Sequence, residues 1–103
     1  MKKSEIIKKY TEIYGKRPTL NIDKQLPDVE QFKIKQQTKI NQYLWTLRKQ
    51  IFIEVVEKSD KEDIINYSKD FVDSFTLNDL MKIYHGYRYN LDFSNKSYTL
   101  FQD

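Results

Sequence analysis

The sequence contains no cysteine and no alanine, and only two glycines, two prolines and one histidine. Without cysteine there is neither a disulfide nor a thiolate-held zinc. Two isolated glycines cannot build a glycine-rich phosphate loop. The single histidine, His85, leaves the common Ser–His and Cys–His nucleophile arrangements with one candidate base. It stands beside Gly86 at an expected helix end, where a histidine commonly partners the C-terminal dipole. Apolar runs are far too short to cross a membrane, and the opening MKKSEIIKKY lacks the apolar centre of a signal peptide. A cytoplasmic location is therefore expected, with no membrane contact, no metal and no cofactor.

The 103 residues suffice for one domain, 1–103, with a single modest core. Hydrophobic residues make up 39% and charged residues 32%, with eight Tyr, six Phe and one Trp. So many aromatic rings argue for folding and against disorder. Lysine, isoleucine, asparagine and tyrosine are abundant, the bias of an AT-rich coding sequence. In this the composition resembles that of small proteins from phages and mobile elements of low-GC Gram-positive bacteria.

Charge is unevenly spread. Residues 1–49 carry twelve Lys/Arg and five Asp/Glu, 12 − 5 = +7, whereas residues 50–103 carry six and ten, 6 − 10 = −4. An anionic partner at the N-terminal end fits this asymmetry, as does a solvated lysine-rich surface.

Periodicity predicts a first helix over 4–14, capped by Ser4 and stopped at Gly15. Residues 16–27 read as an extended connector, with Leu20, Ile22 and Leu26 available to pin it. A capping-box-like pair, Asp28 and Gln31, opens a long helix that can run to Lys58. At about 100° per residue, Ile40, Leu44, Leu47, Ile51 and Val55 form one apolar face, and Trp45, Phe52 and Val56 a second. Such a helix is central, and long enough to bend or to project. Ser59 and Glu62 form a capping pattern for a helix over 60–75, and Thr76 and Asp79 one for a short helix ending at Gly86. Tyr87, Tyr89, Leu91 and Phe93 then alternate with polar residues, the period of a strand. SNK at 94–96 reads as a turn at Asn95, and SYTLF as the return strand. The expected fold is mainly α, about four helices around a long central helix, with a short C-terminal β-hairpin.

Helix 60–75, helix 76–84 and hairpin 87–101 together resemble a winged-helix layout over about half the chain. That resemblance implies DNA reading by the second helix of the pair. Yet region 60–85 holds three Lys and six Asp/Glu, net −3, which repels phosphate. The basic N-terminal half is the better candidate surface. Lys8, Lys9, Lys16 and Arg17 supply cations there. Lys35, Lys39, Gln42, Thr46 and Lys49 fall on one side of the long helix, roughly opposite its main apolar face. Lysines in such a ridge meet phosphates or carboxylates as point charges, and Gln42 and Thr46 can reach base edges.

No catalytic or metal-ligating constellation emerges. Asp60, Glu62 and Asp63 suit a helix N-terminus, and Asp70 with Asp73 lacks the histidine or glycine-bearing loop of a metal site. The expectation is a non-enzymatic interaction protein. It would act as inhibitor or accessory subunit on a larger protein of nucleic-acid metabolism or defence, with direct DNA or RNA binding as the alternative. A structural or dimerisation role through the long helix is a third reading. The aromatic tail YHGYRYNLDFSNKSYTLFQD suggests base stacking at first sight. Its alternation places Leu91 among the rings, which marks that face as core.

Overall fold

Residues 2–102 are described by a computed structural model. The N-terminal arm is helical in two pieces, α1 (Lys3–Lys8) and α2 (Tyr10–Tyr14), joined at Lys9. The Lys9 N–H donates to both Glu5 and Ile6 carbonyls, and its own carbonyl accepts from Glu12 and Ile13. The arm is thus one helix with a single-residue distortion. Ser4 does not cap it: the preceding residue is Lys2, which makes no side-chain cap, so Ser4 lies inside the first turn. Gly15 ends the arm at a φ of 82°, a backbone conformation open to glycine.

The chain then passes without regular structure to α3 (Asp28–Lys58), a helix of 31 residues. The Asp28–Gln31 capping box is absent. Pro27 precedes the helix, and Gln31 turns its amide back to the carbonyls of Lys24 and Leu26, at 3.2 and 2.8 Å. The same side chain that would close a box fastens the turn before it. α3 is unbroken, and no residue before Leu44 is buried. Its first four turns project, which gives the molecule its 51 Å long axis.

Both apolar faces of α3 are used. Leu44, Leu47, Ile51 and Val55 are buried on the main face, Phe52 and Val56 on the second. The arm covers the second face: Tyr10 meets Trp45 at 5.3 Å and Phe52 at 5.5 Å between ring centres. Ile6 and Tyr10 are each 1% exposed, and complete burial of such side chains contributes about 1.5–3 kcal/mol apiece. The arm runs antiparallel to α3, because Lys3 donates to the Glu57 carbonyl and Tyr10 to that of Trp45.

After α3 come α4 (Ile64–Asp73) and α5 (Leu77–Tyr84), both packed against it. The Ser59–Glu62 box does not form, and α4 begins later than the spacing predicts. Ser59 is buried at the end of α3, where its Oγ accepts from the Lys61 N–H. Phe71, Val72, Phe75, Leu80 and Ile83 complete the core from this side, while Leu77 points to solvent. The Thr76 cap does form, accepting from the Asp79 N–H at 3.1 Å. At Gly86, φ 109°, the Gly86 and Tyr87 N–H groups return to the Ile83 and Lys82 carbonyls, a Schellman closure.

The hairpin pairs β1 (Arg88–Asp92) with β2 (Ser97–Phe101), Leu91 opposite Tyr98 and Asp92 opposite Ser97. In its turn Lys96, not Asn95, takes the positive φ of 48°. Asn95 instead donates its backbone and side-chain N–H groups to the Asp92 carboxylate, which holds that carboxyl below its usual range.

The order helix, short helix, hairpin is the one the winged-helix resemblance implies. The hairpin folds back onto the helix pair: Tyr98 stacks on Phe75 at 3.7 Å, Phe93 packs on Phe71, and Tyr98 OH donates to Asp79. Tyr89, Phe93 and Tyr98 pack on the core beside Leu91, as the alternation predicts for that face, whereas Phe101 is exposed.

Candidate interaction surface

Residues 16–27 form a strap along one side of the projecting part of α3. Hydrogen bonds from three side chains fasten it. Trp45 Nε1 donates to the Gly15 carbonyl at 2.9 Å, Gln42 Nε2 to the Pro18 carbonyl at 2.9 Å, and Gln31 to the turn at 24–26. Glutamine and tryptophan do this well because each offers an N–H donor at the end of a side chain that can lie along a helix. Gln31, Ile34, Thr38 and Gln42, on the strap's side, are half-buried, and so are Ile22 and Leu26. Leu20 does not pin the strap; it is 51% exposed.

The strap carries Lys16 and Arg17 to the helix. Arg17 lines an open groove with Lys39, Gln42, Tyr43, Thr46 and Tyr84. Lys16 lines a second hollow beside it, with Pro18, Trp45 and Arg48. Of the predicted residues, the structure therefore brings Arg17, Lys39 and Gln42 together, with Lys16 next to them. Lys35 is exposed on the projecting turns, and Lys49 lies over the Trp45 ring at 5.4 Å. Lys8 and Lys9 stand on the arm, level with α3 between Trp45 and Glu57, apart from the groove.

Gln42 does not have the role suggested for it. Its amide N–H is engaged with Pro18, so it holds the strap. Of the two side chains suited to reading base edges, Gln42 is engaged and Thr46 stays exposed in the groove, and the ridge keeps its cations. Tyr43 and Tyr84 were missed as a pair; their rings meet edge to face at 5.0 Å on the floor of the groove. Tyr43 follows Lys39 by one helical turn, and that spacing is the signal that marks it.

Elsewhere the polar side chains are committed to the fold. Tyr14 donates to Asp73 and to the Lys69 carbonyl, and Lys96 pairs with Asp70. The two carboxylates weighed as a metal pair are thus each held by another side chain. Burial pushes the Tyr10 and Tyr14 hydroxyls up, the latter further through Asp73. Tyr89 is pushed up to about 12 by burial and by Glu54, to which it donates. Among the described residues no three His, Asp or Glu side chains gather as a metal site, and no helix is long and apolar enough to cross a membrane. His85 is exposed at the end of α5, its ring 5.1 Å from Tyr84.

Comparison with protein-family models, with curated proteins and with solved structures finds no match to this chain.

Proposed function

We propose that the protein is a small non-enzymatic binding protein that seats its basic strap-and-helix face against an acidic surface of a larger protein. The observation that carries this reading is the joining of Arg17, on the strap, to Lys39, on α3, in one groove. The strap backbone on either side of Arg17 is held by hydrogen bonds to α3, so less backbone freedom is lost on binding. Tyr43 and Tyr84 add the rigid aromatic area that interface centres favour. With Gln42 engaged by the strap, the face is built chiefly for charge and shape, with Thr46 its remaining exposed polar side chain in the groove. A protein of nucleic-acid metabolism or defence fits as partner, because its surfaces near a nucleic-acid path carry the carboxylates and phosphates such a face matches. The protein would then be an inhibitor or accessory subunit. The AT-rich composition supports a phage or mobile-element origin, and with it a place in the host cytoplasm.

Direct binding to DNA or RNA is the second reading, favoured by the same cations lying beside two tyrosine rings. Fluorescence anisotropy against single- and double-stranded DNA and RNA, over a salt series, separates the two. Phosphate binding requires affinity that falls steeply with salt. The protein-partner reading expects no such binding, and instead a captured protein that is lost when Arg17 and Lys39 are reversed to Glu.

A further inference from the structure

The strap covers only one side of the projecting helix. On the side nearly half a turn away stand Val29, Phe32, Gln36, Ile40 and Tyr43. Val29 is 64% exposed, Phe32 61% and Tyr43 39%. At about 100° per residue these five positions fall within a stripe roughly 80° wide. An exposed apolar stripe on a helix that leaves its own domain is unusual for a surface that stays in water.

The spacing of the stripe is palindromic. Successive steps are three, four, four and three residues, symmetric about Gln36. Two helices laid antiparallel about a two-fold axis at Gln36 place Val29 against Tyr43 and Phe32 against Ile40, and the same pairs repeat on the other side of the axis. That reciprocity is what an isologous contact requires. Phe32 of one copy would enter the open hollow that Gln36, Gln37 and Ile40 help to line on the other. Charge favours the same direction. Asp28 and Glu30 begin the segment and Lys33, Lys35 and Lys39 follow, 3 − 2 = +1. Parallel pairing would set acids on acids and lysines on lysines. Antiparallel pairing sets Asp28 and Glu30 level with the partner's Leu44 and Gln42, apart from its acids, and opposes the helix dipoles, while Lys33 stands level with the partner's Lys39.

We propose that this chain forms a two-fold dimer through the stripe Val29, Phe32, Gln36, Ile40 and Tyr43, two copies of α3 packing antiparallel about Gln36. Four turns of paired helix bury roughly 1,000–1,200 Å² in total, the lower end of specific interfaces. The dimer is accordingly weak, with Kd on the order of micromolar. The stripe and the groove share Tyr43, so dimer and partner draw on one residue in common. Phe32 reads the dimer and Arg17 the groove, so failure of one is distinguishable from failure of the other.

Sedimentation velocity from about 1 μM to about 1 mM protein spans the expected Kd. The wild type should pass from monomer to dimer, and Phe32→Glu should remain monomeric with an unchanged circular dichroism spectrum. Register is read by cross-linking in this naturally cysteine-free chain. Gln36→Cys should form an intermolecular disulfide with itself, and Val29→Cys with Tyr43→Cys in a mixture. Glu30→Cys, on the far side of the helix, should not cross-link. A wild type monomeric throughout overturns the proposal. So does a Phe32→Glu variant that still dimerises, or Val29→Cys cross-linking to itself in place of Tyr43→Cys.

Discussion

Gln42 donates its side-chain amide to the Pro18 carbonyl at 2.9 Å, across 24 positions of sequence. This bond does two things at once. It engages one of the two ridge side chains suited to reading a base, leaving Thr46, and it fixes the strap that sets Arg17 beside Lys39. The first belongs to recognition and the second to positioning, and both follow from one contact.

Gln42→Met keeps the length of the side chain and loses the donor. The expected cost is about 1 kcal/mol in a urea melt, the usual net worth of one hydrogen bond. Hydrogen exchange should quicken in residues 16–24 while the arm and the C-terminal half keep their protection. Uniform loss of protection would show that the strap is not a separate unit.

Gly86→Ala tests the Schellman closure of α5. An added methyl would meet nothing within 4 Å, but φ is 109°. The expected loss is about 1–2 kcal/mol from backbone strain alone. A neutral result in thermal melts would mean that the turn relaxes to a negative φ.

Ser68 is fully buried on the inner face of α4, and its Oγ has no hydrogen-bond partner. Ser68→Ala removes that unpaired hydroxyl and places a better helix former at the site. Stability should rise by about 1 kcal/mol. A fall in the melting temperature would reveal a contact that the hydroxyl makes after all.

Four tyrosines, Tyr10, Tyr14, Tyr89 and Tyr98, have hydroxyls raised above their usual range, each chiefly by burial. A group whose folded value lies above its unfolded value stabilises the fold fully below the unfolded value, about 10. That contribution is lost as pH climbs through the folded one, about 12 for Tyr89. Stability should therefore be flat up to about pH 10 and decline steeply beyond it. Tyrosinate absorbance should rise together with loss of helix in that range. Early ionisation of all eight tyrosines with helix intact would contradict the packing described.

The helices and the hairpin are legible in the sequence because each depends on local period. α3, with Leu44, Leu47 and Ile51 on one face and Phe52 and Val56 on another, is the clearest case. Its starts and caps are less legible. Asp28–Gln31 and Ser59–Glu62 have the spacing of capping boxes, yet Gln31 and Ser59 serve the turns outside their helices. The string is the same in both uses, and tertiary context selects between them. Of the interaction surface, the cations of the ridge could be found by counting turns. The approach of Arg17 could not, because a strap held by backbone carbonyls leaves no pattern of side chains to read. Gln42 looked like a free ridge residue for the same reason.

The most direct test of the proposed face is affinity capture from the native host, comparing the wild type with an Arg17→Glu/Lys39→Glu variant. Both positions are exposed, so the variant should fold and melt as the wild type does. The wild type should retain one protein in stoichiometric amount, and the variant should lose it. Phe32→Glu, altered at a residue that does not line the groove, should still retain it. Capture of the same proteins by wild type and charge-reversed variant, or of none by either, would contradict a partner seated on this face.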